Sequence, residues 1–478
     1  MRFTDAELLT YGGVAFLVGL LANDWIAGAS ILTLLIGVKL VSTGDRLFVL
    51  PVAFTFHWMQ TSIGVMYLAF AGRAVPTVEL SDYRPMVLVG LGCCLALAAG
   101  IRAGLWLRHK PDPSEARPQF AFGFGLILAV YVGTIALEGS LAALAPEYPS
   151  LRQIIVSFDT ARLGILFLIL RRLCSPTPRW GLLALVVSGE VVLGITGFFA
   201  GFREPVVLAV LAVLEIFDRR NKKHWLAIGV GGASAVVLGL LWMSIRVEYR
   251  KEYVEVDKFQ ASRSARVERI GSLTSGFINS ESTNLWAATD SLVDRLWTVY
   301  YPALALSRVP RVLPHTNGTI VGAALIHIVT PRVFFPNKAE LPSDSEEVRK
   351  YSGVHVAGRE TNTSIAFGYA PEAYIDFGIP LMFVPVFLFG VAVGFLYALF
   401  RQLIWHRELF VAFATVTFWL TVYLFERSWA TMLGVSLGFM VYLGIPVVLL
   451  DRFLLIKYAR PSREAPELLF PQPDRHQA

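Results

Sequence analysis

Residues 8–42 read LLTYGGVAFLVGLLANDWIAGASILTLLIGVKLVS. Two apolar runs, 8–22 and 25–42, are separated only by Asn23 and Asp24. Each approaches the roughly 20 residues that a helix needs to cross a bilayer. A second run so soon after the first predicts a retained hairpin of two spanning helices, not a cleaved leader.

The same pattern continues along the chain. Apolar runs at 47–71, 85–107, 119–137, 154–171, 180–200, 204–217, 224–245, 377–401, 408–424 and 430–452 predict further spanning helices. The composition agrees. Of the 478 residues 55% are hydrophobic and only 16% are charged, against about a quarter in soluble proteins. The mean hydropathy is +0.58. The net charge of +6 does not point to nucleic acid, because the basic residues sit in short connections between apolar runs. Three cysteines, Cys93, Cys94 and Cys174, offer neither a disulfide framework nor a metal-ligand spacing.

Lys and Arg in short loops set orientation. Arg102, Arg108, Lys110 and Arg117, then Arg171, Arg172 and Arg179, then Arg219, Arg220, Lys222 and Lys223, then Arg401 and Arg407, and finally Lys457, Arg460 and Arg463 all fall on one side of the predicted bundle. Both termini are therefore expected in the cytoplasm. The reading is an all-α polytopic membrane protein of about twelve transmembrane helices with a large external loop domain between helices nine and ten. Its parts are an N-terminal helix bundle (1–245), the loop domain (246–376), C-terminal helices (377–452) and a cytoplasmic tail (453–478).

The external segment is mixed in charge and carries Trp286, Trp297, Tyr300 and Tyr301. Residues 283–307 read as one amphipathic helix, with Leu285, Leu292 and Leu296 on one side. Residues 319–330 are apolar but too short to span, which suggests an interfacial or re-entrant helix. The stretch 336–364 reads as a mobile loop, with Glu346, Glu347, Arg349 and Lys350 on its solvated surface.

Ionisable residues inside spanning helices are costly and call for a reason. Asp159 and Arg162, three apart on one helix face, read as a structural ion pair. Glu190 has no partner that the sequence can name, and His57 reads as a packing histidine. Gly201-Phe202-Arg203-Glu204-Pro205 is a very short turn on the outer side. Pro205 suits the first turn of a helix, and Arg203 beside free helix N–H groups would receive an anion such as pyrophosphate. A snorkelling interfacial arginine is the alternative. There is no Gly-rich phosphate loop, no His-Glu-x-x-His and no nucleophile elbow.

From Asp294 onward the loop carries an ordered set of short motifs: Asp294-Arg295-Leu296, Arg308-Val309-Pro310, Asn317-Gly318-Thr319, Thr330-Pro331-Arg332-Val333-Phe334-Phe335-Pro336-Asn337-Lys338, Thr361-Asn362-Thr363-Ser364 and Pro371-Glu372-Ala373-Tyr374-Ile375-Asp376-Phe377-Gly378. Their order resembles that of the O-antigen and exopolysaccharide repeat-unit polymerases of the Wzy type, as does the turn at Arg203. The resemblance covers mainly 201–205 and 285–400. It implies a GT-C-like fold in the bacterial inner membrane and a metal-independent glycosyltransferase with no cofactor. The growing glycan would move from undecaprenyl diphosphate to the outer sugar of a new undecaprenyl-diphosphate-linked repeat unit. The implied partners are these lipid-linked oligosaccharides, membrane lipids and a chain-length regulator, with no nucleic acid.

Two alternatives stay open. The related O-antigen ligases use a His in the outer loop, and His315, His327 and His355 are available, though without the spacing to Gly associated with ligases. Arg311 and Gly322 fit an Arg–Gly spacing that resembles some polymerases. A flippase or other transporter would concentrate polar groups at the midplane and show paired halves.

A glycosyl diphosphate carries its own leaving group, so the protein must stabilise the departing anion and take a proton from the attacking hydroxyl. The resemblance implies that arginines do the first task. Arg203, Arg295, Arg332 and Arg359 are the candidates, with Lys338 assisting. Glu372, just before a spanning helix, is favoured as the base, ahead of His355 and then Glu360. Arg295, Lys338, Arg359, Glu360 and Tyr374 are assigned to substrate binding. Salt bridging within the loop is the competing account of Arg295 and Arg332.

Overall fold

The computed structural model describes residues 4–43, 47–73, 77–78, 81–108, 122–147, 152–175, 177–195, 203–255, 263–279, 285–330, 335, 337–338, 340–358 and 364–458. Arg332, Arg359, Glu360, Gly201 and Phe202 lie outside them. The described chain is helical apart from one two-residue antiparallel ladder that pairs Thr77 with Asp82.

The helices run in the order α1 (Asp5–Leu21), α2 (Trp25–Val41), α3 (Val49–Phe70), α4 (Tyr83–Leu107), α5 (Phe124–Glu147), α6 (Arg152–Cys174), α7 (Trp180–Ile195), α8 (Arg203–Glu215) and α9 (Lys222–Glu255). Then come the shorter α10 (Arg263–Asn279), α11 (Leu285–Leu296), α12 (Tyr300–Arg308), α13 (Thr319–Val329), α14 (Asp344–Ser352) and α15 (Tyr369–Phe377). The chain closes with α16 (Phe383–Leu403), α17 (Arg407–Val422), α18 (Trp429–Phe439), a π turn (Met440–Gly444) and α19 (Ile445–Tyr458). Within the described residues every apolar run of the sequence is helical, the run 430–452 being shared by α18, the π turn and α19. Among the described residues four stretches are long and apolar enough to cross a membrane by length and composition: Tyr83–Leu107, Lys222–Arg246, Phe383–Leu403 and Trp429–Ile456. Large apolar side chains such as Leu9, Leu21, Trp106 and Ile456 stand exposed on the outside of the bundle, as a lipid-facing surface requires.

Local chemistry starts the helices. Thr4 and Glu7 form a reciprocal capping box on α1. Asp24 accepts Ile26 N–H at 2.8 Å and caps α2, which makes the Asn-Asp pair a tight hairpin turn. The closest helix pair is α4 with α16. It runs parallel, since Arg108 and Gln402 at the two C-terminal ends bond each other at 2.9 and 3.0 Å. Gly100 and Gly104 on α4 face Gly390 and Gly394 on α16. A Cβ at any of the four would run into the main chain of the partner helix. Small residues four apart are what let two helix backbones touch.

Two expectations about the external segment change. The helix expected over 283–307 is two helices, α11 and α12, broken at Trp297–Val299. There the Trp297 indole donates to the Thr61 carbonyl at 3.0 Å, and Thr298 N–H leaves the helix for the Gln60 carbonyl at 3.1 Å. Tertiary partners thus compete successfully with the helix ladder. The stretch expected as a mobile loop contains α14, whose Ser343 and Glu346 form a capping box and whose end is closed by Gly353 at φ +78. Glu346 is therefore a cap, and Arg349 donates to the Val356 carbonyl. The Ser-x-x-Glu signature is the sequence sign of such a start. Val348 and Tyr351 join Ala305, Val309, Val356, Phe367 and Ile375 in a second core, separate from that of the bundle.

Arg162 has interior partners that the sequence did not name. Arg162 donates to Glu190 at 2.8 Å and to Tyr131 at 3.1 Å, and Tyr131 donates to Glu190. Three helices, α5, α6 and α7, meet at this triad. The partner that the sequence could not name for Glu190 is Arg162. The Asp159 side chain lies outside the described residues.

Candidate functional site

The turn that joins α17 to α18, Tyr423-Leu424-Phe425-Glu426-Arg427-Ser428, gathers more of the charged and polar side chains than any single sequence motif suggests. It is gripped from several elements. His57 on α3 contacts the Val422 carbonyl through Nδ1 at 2.9 Å and Tyr369 Oη through Nε2 at 2.6 Å. A carbonyl only accepts, so Nδ1 carries the proton and Nε2 accepts from the tyrosine. His57 is thus a satisfied packing residue. Gln60 Oε1 accepts Phe425 N–H at 2.6 Å. Gly368, at φ +99, lets its backbone approach the Phe425 carbonyl so closely that any side chain there would collide with it.

Charged groups converge on the same turn. Arg295, on α11, makes a two-pronged ion pair with Glu426, at 2.8 Å and 3.3 Å. Arg203, the first residue of α8, lies with its guanidinium carbon 5.8 Å from the centre of the Tyr423 ring. Its ion pair with Glu204 is long, at 3.6 Å, and its side chain is 43% exposed. Arg427 lies 5.3 Å from the same ring and donates to the Leu420 carbonyl. Two guanidinium groups therefore share one buried tyrosine.

Glu372 meets the turn at its far end. It is buried and accepts Trp429 N–H at 2.8 Å, at the first residue of α18. Burial pushes its carboxyl up to about 8, with acidic neighbours Asp344, Glu347 and Asp376 adding to the effect against the Trp429 bond. One helical turn later on α15, Asp376 accepts Val321 N–H at 2.8 Å, Ile320 N–H at 3.1 Å and the Thr316 hydroxyl. The short helix α15 thus presents two carboxylates, four residues apart, to the N-termini of α18 and α13. Each satisfies N–H groups that a helix start leaves open.

The remaining sequence candidates lie apart from the turn. Tyr374 donates to the Val309 carbonyl at 2.9 Å and packs against His315. Lys338 donates to the carbonyls of His327 and Thr330 at 2.7 and 2.8 Å and closes the C-terminus of α13. His355 is exposed beside the second core. Arg332, Arg359 and Glu360 are outside the described residues. Among the described residues no group of three or more His, Cys, Asp or Glu is placed to hold a metal ion. Tyr423, Glu426 and Arg427 are the residues that reading the sequence passed over. The signal that marks Arg203, charge in a very short turn between apolar runs, marks them equally.

Fold and site together define an all-helical membrane protein with a cluster of arginines and buried acids where the short helices meet the long ones. The chain belongs to the family described as Domain of unknown function (DUF8712), which matches residues 93–427. No curated protein and no solved structure matches the chain.

Proposed function

We propose that this protein polymerises lipid-linked oligosaccharide repeat units at the outer face of the bacterial inner membrane, as a GT-C-like glycosyltransferase of about twelve spans with both termini cytoplasmic. The observation that carries the reading is the meeting of Arg203 and Arg295 at one turn. They come from the two separate stretches of sequence that bear the resemblance to Wzy-type polymerases, and they flank Tyr423 and Glu426.

The polar contacts between helix ends support the orientation. Lys39–Glu7, Arg108–Gln402, Arg172–Glu408, Arg171–Glu215 and Asp451 with His406 N–H all join ends that the basic loops assign to the cytoplasm. Arg84–Asp24, Arg73–Asp290 and Arg295–Glu426 all join ends assigned to the outside.

In the proposed reaction the acceptor hydroxyl oxygen bonds to the anomeric carbon of the growing glycan. The bond from that carbon to the diphosphate oxygen breaks, and the electron pair leaves on undecaprenyl diphosphate. Arg203 holds the departing negative charge, assisted by Arg332, because a guanidinium offers paired donors to phosphate oxygens. Glu372 takes the hydroxyl proton. Buried acid of this kind is neutral at low pH and must ionise first, so its raised value links the base role to pH.

Gene deletion tests the reading. Loss of polymer with single repeat units still exported and lipid-linked supports polymerisation. Repeat units that no longer reach the outer face would make the protein a transporter. Polymer that forms on undecaprenyl diphosphate but is not passed to lipid A would make it a ligase.

A further inference from the structure

We propose that Arg427 is the second arm of a two-guanidinium site, paired with Arg203 across Tyr423, that selects a lipid diphosphate over a lipid monophosphate. The inference rests on the polymerase reading for the identity of the lipid but not for the geometry.

Three observations carry it. First, Arg203 and Arg427 approach one ring, at 5.8 Å and 5.3 Å from its centre. They come from α8 and from the α17–α18 turn, so the bundle itself brings two like charges together. Like charges repel, and such a pair persists where a neighbouring anion or an aromatic surface offsets the repulsion. Second, the carboxylates close by are committed elsewhere or poorly placed. Glu426 is held by both prongs of Arg295. Glu204 reaches Arg203 only at 3.6 Å. Among the described residues Arg427 makes no ion pair, and the hydrogen bond it donates to Leu420 goes to a neutral carbonyl. Among the described residues three guanidinium groups thus face two carboxylates, an excess of positive charge. Third, the ring is itself fixed. Tyr423 is buried and stacks on Trp419 with centroids 4.6 Å apart, so the ring that both guanidinium groups approach is held in place.

Two guanidinium groups on one rigid ring suit a ligand with two adjacent phosphoryl groups. One phosphoryl group meets Arg203 and the next meets Arg427. A monophosphate satisfies only one arm, leaving the other without its charge-assisted bonds. Arg427 is on this account a specificity-determining residue for the lipid carrier.

The test uses the full-length protein in detergent with undecaprenyl diphosphate and undecaprenyl phosphate as probes, read as ligand-dependent thermal stabilisation and converted to relative affinity. Wild type should prefer the diphosphate by roughly ten- to a hundredfold, the value of one charge-assisted contact. Arg427→Gln should bring the two lipids close to parity by weakening the diphosphate alone, and Arg427→Lys, which keeps a donor for Leu420, should fall between. Melting of the unliganded variants separates this from loss of fold, and Arg427→Lys remains informative if Arg427→Gln does not fold. An unchanged preference in folded Arg427→Gln or Arg427→Lys overturns the proposal. Inorganic pyrophosphate that binds as tightly as the lipid diphosphate assigns the site to a soluble anion and overturns the lipid assignment. The two ideas fail separately. Polymer formation with an unchanged lipid preference in Arg427→Gln removes the inference and keeps the polymerase. A wild-type protein that makes no polymer yet discriminates the two lipids through Arg427 does the reverse.

Discussion

Glu372 accepts the main-chain N–H of Trp429 at 2.8 Å, so a side chain of α15 closes the first turn of α18. Its carboxyl sits at about 8, above the ordinary 4.5, because burial disfavours the charged form. The folded protein keeps a proton here that the unfolded chain has already lost. The stabilising contribution of the neutral acid is complete below 4.5 and declines by about 1.4 kcal/mol per pH unit between the two values. It is gone once pH has passed the folded value. Glu372→Gln keeps the shape and a carbonyl oxygen for Trp429. It should therefore melt higher than wild type above pH 8, with little difference under acid conditions. Identical pH profiles of the melting temperature for the two proteins would contradict this account of the buried acid.

The same group gives a prediction for activity. A base acts only when ionised, so polymerisation should rise as pH climbs through about 8. Glu372→Gln and Glu372→Ala should fail almost equally, because neither takes the proton. A Gln variant with near-normal turnover would leave Glu372 as a helix cap and nothing more.

Arg203→Ala should lower polymerisation by about a hundred- to a thousandfold, the usual loss when one donor to a developing anion is removed. Arg332→Ala should behave alike, and lysine at either position should rescue in part, since a point charge lacks the paired fork. Arg203 is 43% exposed, so the amount of protein in the membrane should stay normal. Turnover assayed with purified protein, lipid-linked repeats and a chelator checks both points. Normal activity of Arg203→Ala removes Arg203 from the site, and loss of activity in chelator overturns a metal-free reaction.

Arg162, Glu190 and Tyr131 should behave as one unit. Removing a single partner of a buried pair strands the other charge and costs about 3–5 kcal/mol. Arg162→Met or Glu190→Leu alone should sharply lower the melting temperature in detergent, while the double substitution should recover much of the loss. Additive losses in the double variant would show that the two residues are not coupled.

The α4–α16 contact gives a steric prediction. At Gly394 an added methyl would collide with the Ile101 carbonyl, whereas at Gly133 nothing lies within 4 Å. Gly394→Ala should cost about 1–3 kcal/mol as overpacking, and Gly133→Ala should be tolerated. Comparable melting of the two variants would mean that α4 and α16 are not in backbone contact.

Labelling tests the orientation. The native cysteines are all buried, so background should be low. Cysteine at position 280 should react with an impermeant reagent from outside, and cysteine at position 462 only after permeabilisation. Labelling of both from one side would refute the proposed topology.

Hydropathy runs and capping pairs are local properties, carried by residues a few positions apart, and they are legible without a fold. The hairpin at Asn23–Asp24, the helices over the apolar runs, and the Ser343–Glu346 capping box are all of this kind. The capping box went unread because the acid-rich stretch around it resembles a solvated loop, although Val348 and Tyr351 alternate inward at helical spacing. The split of α11 from α12 was not legible, since the groups that compete for Trp297 and Thr298 belong to α3, far away in the chain.

The site divides along the same line. The sequence by itself determined that Arg203 stands at the start of an apolar helix and that Glu372 stands just ahead of another. Only the tertiary structure decided that Arg203 and Arg427 share Tyr423, that Arg295 reaches Glu426 across 131 positions, and that Glu190 belongs to Arg162. A charge in a low-dielectric interior takes the partner that helix packing brings within a few ångströms. Which helices lie side by side is set by the shapes of their surfaces, such as the glycine faces of α4 and α16, and not by proximity along the chain.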